Sequence, residues 1–423
     1  VDAKPGARMT RLVPIVCGQG FTLLVGIAGL KLSSRLLTPE TYGAYALLLT
    51  LTGLGLQFTH AGLYNYAIRC WQREAAKNGP GFLAFLRHEH QRSIGPLIAL
   101  VGGVCVAVWL WQQDSSWLWV LPVLVLVNAA QAGVGLAQGV LNAAERHWAV
   151  FGLSGGALLM RTLLPLAAAA WWGPLLPALV GGLMLHGLIL SAVLLTLTAK
   201  AAGVAEAADQ ARWAGELPGY RRSYFWLGVG GWLLQSADRW LVFAFFDEQL
   251  TGLFALASSL AGIVPAMLAG IMLQLAFPRV FRQSDAAAVA NDWRVVAQQC
   301  DRLTAVFLVT AMLGLVALAA LGPHLIGWLV DARFAAAMPL VLAAGMAAVS
   351  VQVNQFYYLL LQGQQRGEPM VKVMTVVAGV KTAGSAVAAL VSWEWFLGWQ
   401  CVSAGVSAWL GRQLIRRAAL GRA

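Results

Sequence analysis

Charge is what this sequence has least of. Only 11% of its 423 residues are Asp, Glu, Lys or Arg, against about 25% in ordinary soluble domains. A chain so poor in charge cannot cover itself with a water-solvated surface, and its mean hydropathy of +0.69 makes lipid the natural solvent. Cysteine is also scarce. Cys17, Cys70, Cys105, Cys300 and Cys401 show no CxxC or metal-type spacing, so they read as small packing residues. The recurrent catalytic patterns are missing as well: there is no P-loop, HExxH, GxSxG, paired Cys/His site or DxD cluster. No catalytic residue, metal ligand or cofactor is therefore expected, and the chain does not read as an enzyme.

What is present is apolar sequence, 59% of the chain, cut into stretches of about 20 residues, the length that crosses a bilayer as a helix. Breaks at Pro, Gly and charge predict twelve helices, at 12–34, 41–68, 94–111, 117–141, 148–171, 175–198, 222–246, 250–276, 303–322, 336–361, 370–391 and 394–411. The fold expected is an all-α polytopic membrane protein.

The net charge of +11 does not point to nucleic acid, because the basic residues sit in short runs between apolar spans. With a cytoplasmic N-terminus, inside segments collect 23 of the 29 Lys and Arg, and outside loops hold only Arg35 and Arg333. The positive-inside rule then places both termini in the cytoplasm of an inner or plasma membrane protein. Trp117, Trp119, Trp171, Trp172, Trp393 and Trp395 fall at predicted outer ends, where interfacial anchors belong.

The two halves repeat. Thr41–Leu47 aligns with Leu250–Leu256 around Gly43 and Gly252. Asn128, Gln131, Gln138 and Gly139 align with Gln352, Gln355, Gln362 and Gly363. Arg161-Thr162 aligns with Lys381-Thr382. Six helices per repeat keep both halves in one orientation, which predicts two pseudo-symmetric six-helix lobes around a central cavity. The lobes are expected at 1–199 and 222–423, joined by an Ala-rich cytoplasmic linker at 200–221.

Several short motifs occur in order: Ser33-Ser-Arg-Leu-Leu-Thr-Pro-Glu-Thr-Tyr-Gly-Ala-Tyr-Ala46, Ala67-Ile-Arg69, Ala237-Asp-Arg-Trp-Leu-Val242, Thr251-Gly-Leu-Phe-Ala-Leu-Ala257 and Phe277-Pro-Arg279. Together they resemble stations of the bacterial polysaccharide (O-antigen type) flippases, within the multidrug/oligosaccharidyl-lipid/polysaccharide exporter superfamily. The resemblance implies alternating-access movement of an undecaprenyl-diphosphate-linked oligosaccharide from the cytoplasmic to the periplasmic leaflet, for lipopolysaccharide or exopolysaccharide synthesis. Its expected partners are the lipid-linked oligosaccharide, membrane lipids, a polysaccharide polymerase and chain-length proteins. A cation-coupled multidrug exporter of the same superfamily stands as the alternative. A membrane polymerase or ligase is disfavoured by the short outer loops.

Ionisable groups at mid-membrane cost about 2.5–3.5 kcal/mol each on insertion scales, so each needs a reason to be there. Arg161 and Lys381 lie mid-span at repeat-related positions and are candidate contacts for a diphosphate; pairing within their own lobes is the other reading. Asp238 and Arg239 suggest an internal ion pair, with Arg239 a head-group contact and Asp238 an ion-coupling site as the functional alternative. Arg35 and Arg69, both in the flippase-like motifs, are further substrate candidates. So is Gln57, in a polar stripe with His60 and Tyr64, though His60 by itself reads as a packing residue. The Asn/Gln ladder of the fourth and tenth spans reads as interhelical glue.

Overall fold

The structure, a computed structural model, describes residues 5–113, 116–199, 206–290, 292–364 and 366–420. Among the described residues there is no strand. The helices are α1 (Pro5–Leu36), α2 (Pro39–Leu51), α3 (Ala61–Arg92), α4 (Ile94–Gln112), α5 (Ser116–Trp119), α6 (Leu121–Ala143), α7 (His147–Trp172), α8 (Leu176–Ala199), α9 (Ala207–Phe245), α10 (Glu248–Ala290), α11 (Arg294–Leu329), α12 (Val341–Gly363), α13 (Gly367–Val391) and α14 (Trp393–Leu420). A π-helical turn, Gly55–Thr59, lies between α2 and α3, and a 3₁₀ segment, Ala332–Leu340, leads into α12.

The twelve expected spans fall mainly on helical residues, with breaks at Thr52-Gly53, His60 and Val120 and with Leu175 and Phe246 just outside their helices. Eight described helices are long and apolar enough to cross a membrane, and α2 with the π turn and the start of α3 makes a ninth if that pair, bent by 54°, is one span. In α11 the solvent logic is visible residue by residue. Phe307, Ala311 and Leu315 are fully buried, while Val306, Val309, Leu313 and Val316 are exposed along the opposite face. An exposed stripe of aliphatics at helical spacing suits lipid and would be a liability in water. Trp119, Trp171, Trp172 and Trp395 are exposed, as interfacial anchors should be. Trp393 is different: its ring stacks on Phe396 at 5.6 Å and meets Phe246 edge-on at 5.0 Å, so it is a packing residue. The side chain of Trp117 lies outside the described residues. Cys70, Cys105 and Cys300 are buried and Cys17 is exposed.

Chain contacts divide the protein into two compact units, Val1–Gly29 with Leu48–Gly228, and Leu30–Leu47 with Val229–Ala423. In the first unit, the segment read from sequence as a linker is helical from Ala207 onward. There Trp213 is fully buried among Leu63, Tyr66, Phe82 and Phe85. Arg212 reinforces this seat by donating to both carboxylate oxygens of Glu74, at 3.0 and 2.8 Å, and to Asp209 at 2.9 Å. These bonds, Glu74's first, raise the Arg212 pKa above its ordinary value. Residues 200–205 lie outside the described residues. α3 is broken at Asn78, whose backbone leaves the helical region; its Oδ1 accepts from the Gly81 N–H at 2.9 Å and so restarts the helix as a cap just ahead of Pro80.

The bend in the second span has a defined support. A π turn leaves backbone groups without their regular partners, and here Asn128 of α6 supplies them. Its Oδ1 accepts from Gly55 N–H at 2.7 Å, and its Nδ2 donates to Leu51 O and to Leu124 O, each at 2.9 Å. Asn128 thus ties α6 to the bend, whereas Gln355 and Gln362 of the repeat-related ladder are exposed and Gln352 is half-buried. Asn128→Ala strands a buried N–H and a carbonyl, each costing about 1–3 kcal/mol. The variant is expected to show a clearly lowered unfolding temperature in detergent.

In the second unit the repeat-related glycines meet. A Cβ on Gly43 would lie 2.8 Å from the backbone N of Gly252, and one on Gly252 would overlap the Pro39 carbonyl. The aligned Tyr-Gly and Thr-Gly motifs therefore mark a backbone-to-backbone contact between α2 and α10. Below it, Arg333 donates to Ser34 O and Arg35 O at 3.2 and 2.7 Å, closing the C-terminal end of α1 as a cation should. The backbone N–H and the guanidinium of Arg333 hold Asp331 below its ordinary pKa.

Candidate functional site

The buried charge of the second unit is concentrated in one network. Lys381 of α13, 2% exposed, forms an ion pair with Asp238 of α9. The other carboxylate oxygen of Asp238 accepts from Ser385 Oγ at 2.9 Å and from Gln400 Nε2 of α14 at 3.2 Å. Gln400 also donates to Ser385 Oγ, at 3.0 Å. Trp399 packs beside Lys381. Its indole N–H donates to the Lys381 carbonyl at 3.1 Å, and its ring lies against Gly384, where a methyl group would collide with it. Gly384 thus leaves the space that the indole occupies.

The pairing differs from the sequence expectation of an Asp238–Arg239 pair. Adjacent helical residues project about 100° apart, so Asp238 turns to α13 and α14 while Arg239 turns elsewhere. Arg239 lies within electrostatic range of Tyr42 of α2, and its Nε is buried without a hydrogen-bond partner among the described residues. The Tyr42 hydroxyl is 3.4 Å from Ser259 Oγ.

Lys381 and Arg161 align in the repeat but occupy unlike surroundings. Arg161 is half-buried on α7 of the first unit, within electrostatic range of His186 on α8. His186 is 1% exposed, and neither of its ring nitrogens has a hydrogen-bond partner among the described residues.

The other candidates are dispersed. Arg35 is exposed at the end of α1, and its carbonyl is the one Arg333 caps. Lys31, one turn earlier, lies 4.8 Å over the Trp328 ring. Arg69 is exposed on α3, 6.0 Å from the Tyr220 ring. Gln57 lies in the π turn, half-buried, with a buried Oε1 that has no partner among the described residues. Its backbone carries the close approach of α9, since a Cβ on Gly228 would overlap the Gln57 carbonyl. The structure thus brings Asp238 and Lys381 together and leaves Arg35, Arg69, Arg161, Arg239 and Gln57 in separate neighbourhoods within their units. Ser385 and Gln400 were not singled out from sequence. Their signal was weak but present, because both are polar residues inside apolar spans.

No His, Cys, Asp and Glu cluster suited to a metal ion occurs among the described residues. No protein-family model and no curated protein matches the chain. Solved structures do. A lipid II flippase, MurJ, in an inward closed conformation is similar with a TM-score of 0.64 and 8% identity, over 96% of this chain and 87% of that one. An inward-facing multidrug resistance MATE family transporter of the MOP superfamily gives 0.55 and 12% identity, over 96% of each chain. The eukaryotic MATE transporter AtDTX14 gives 0.58 and 13%, over 96% and 93%. At such identities the likeness is one of fold, and the chain is a multi-pass helical membrane protein that shares the fold of these solved structures.

Proposed function

We propose that the protein is a flippase for an anionic, lipid-linked oligosaccharide, an undecaprenyl-diphosphate glycan being the class the flippase-like motifs imply. On this reading it carries the glycan head group from the cytoplasmic to the outer leaflet of a bacterial inner membrane, with both termini cytoplasmic, and performs no chemistry on it. The observation that carries the reading is the balance of charge inside the spans. Arg161, Arg239 and Lys381 lie within them, against Asp238 as the mid-span acid, and Asp238 is already neutralised by Lys381. What remains inside the spans is cationic. A diphosphate suits that field, because charge-assisted bonds to phosphate oxygens are among the stronger polar contacts. For a cationic drug the mid-span carboxylate, Asp238, is already taken by Lys381.

Arg161, Arg239, Arg35, Arg69 and Gln57 are the proposed substrate-facing groups. Lys381 joins them only in a state in which Asp238 has released it, and Asp238 is then free for an ion-coupling role. The likeness to MATE transporters keeps the multidrug reading as the rival, and one experiment separates the two. Deleting the gene should make lipid-linked repeat units accumulate on the cytoplasmic leaflet, with their assembly intact and susceptibility to cationic drugs unchanged. Drug hypersensitivity with normal surface glycan would establish the rival, and failure to assemble repeat units would favour an enzyme.

A further inference from the structure

The bend in the second span holds two imidazoles that the transport reading does not use. The His60 and His90 ring centroids are 4.9 Å apart. His60 is 1% exposed, and its Nε2, like Nδ1 of His90, is buried without a hydrogen-bond partner among the described residues.

The Thr59 hydroxyl has one hydrogen to give. It lies 2.9 Å from the Gly55 carbonyl and 2.7 Å from His60 Nδ1, which is itself 3.2 Å from that carbonyl. With the hydroxyl hydrogen on the carbonyl, Nδ1 carries the ring proton and the lone pair of the neutral ring sits on Nε2, which has no donor among the described residues. A buried, bare acceptor beside a second imidazole is a place for one proton.

We propose that His60 and His90 form a proton-binding site at the π turn, holding one proton between two rings and reporting its presence to α9. The charged group within electrostatic range of His60 is Arg221 of α9, which repels a proton on the ring; Arg221 lies 2.8 Å from Glu89 and 3.2 Å from Ser93 Oγ, and Glu89 also pairs with Arg92 at 3.2 Å. α6 carries no ionisable residue and α4 only Cys105, while Gly133 of α6 gives the His90 ring its room, with a Cβ there reaching ring atoms at 3.4 Å. One carboxylate thus already serves two guanidinium groups, and an added proton makes the cluster more cationic. Arg221 is the group that repulsion would displace. Its backbone is the surface on which Gly62 rests, with a Cβ on Gly62 falling 2.6 Å from Arg221 Cα. Proton uptake at the pair is therefore coupled to the contact of α9 with the start of α3.

The test uses the whole protein in lipid nanodiscs, with no transport substrate, so its outcome is independent of which cargo is carried. Histidine-selective nitrogen NMR between about pH 8 and pH 3 should find His60 as the Nδ1–H tautomer at the alkaline end, with the His60 and His90 signals moving together and about one proton taken up by the pair. Potentiometric titration should count about one proton fewer in H60Q than in the unmodified protein. H90Q gives the same count should H60Q fold poorly. Spin labels at Ala76 and Ala208, both in the first unit, should change separation on acidification in the parent and not in H60Q. An Nε2–H tautomer for His60, two independent one-proton titrations, or an acid-induced change in label distance that persists in H60Q overturns the proposal.

Discussion

Replacing Lys381 with Gln is expected to be the most damaging single substitution in the second unit, lowering stability by about 3–5 kcal/mol, the usual cost of leaving one partner of a buried ion pair unanswered. The reason lies in the geometry around Asp238. Ser385 and Gln400 donate to one carboxylate oxygen, and Lys381 alone answers the other. Without the ammonium group a carboxylate remains buried inside helices that face lipid, where ionised groups are costly. Asp238→Asn should be destabilising for the mirror-image reason, because it leaves a 2%-exposed ammonium group unpaired. The double variant Asp238→Asn, Lys381→Gln is expected to recover most of the loss. The introduced asparagine keeps an oxygen for Ser385 and Gln400, its amide can donate to the new glutamine, and no net charge is left behind. Thermal unfolding in detergent and protein level in the membrane measure all three variants. A double variant no better than the worse single one would show that the two charges are not coupled. The double variant also separates stability from transport: if it folds normally yet no longer flips, Asp238 or Lys381 acts in the transport cycle as well as in packing.

The parts of the molecule that were legible in the sequence are those set by local periodicity. Apolar runs of bilayer length gave helices because a lipid-exposed backbone must satisfy its own hydrogen bonds, which leaves little else for such a run to do. The Gly43 and Gly252 alignment was legible because only a residue without Cβ tolerates the backbone contact found there. What depends on partners distant in sequence was not legible. Asp238 chooses Lys381, 143 residues away, over its neighbour Arg239. The Ala207–Tyr220 stretch looks like a linker because its helix is held by Glu74 and by the aromatic seat of Trp213, neither of which is local. Likewise His60 reads as an ordinary packing residue until its ring is seen 4.9 Å from that of His90, 30 residues away.

Arg161→Gln is expected to act in the opposite sense to Lys381→Gln, leaving the fold and cutting the flux. Arg161 is half-buried rather than enclosed, and the His186 imidazole lies within its electrostatic range. Removing the guanidinium also removes a mid-span insertion cost of about 2.5–3.5 kcal/mol, so membrane level and unfolding temperature should hold or rise. If Arg161 grips the diphosphate, the loss is one charge-assisted contact of about 1.5–3 kcal/mol, or about a 10- to 100-fold fall in flipping at limiting substrate. Arg161→Lys should recover only part of it, because an ammonium group keeps the charge but cannot bind two phosphate oxygens in a planar fork. Flipping measured in proteoliposomes with a prenyl-diphosphate glycan, beside unfolding temperature for the same samples, gives both numbers. A neutral prenyl-linked glycan supplies the control, since its transport should be insensitive to the substitution if the guanidinium reads phosphate. Equal losses on both lipids would move Arg161 from substrate contact to helix packing, and a stable, fully active Gln variant would remove it from the transport path.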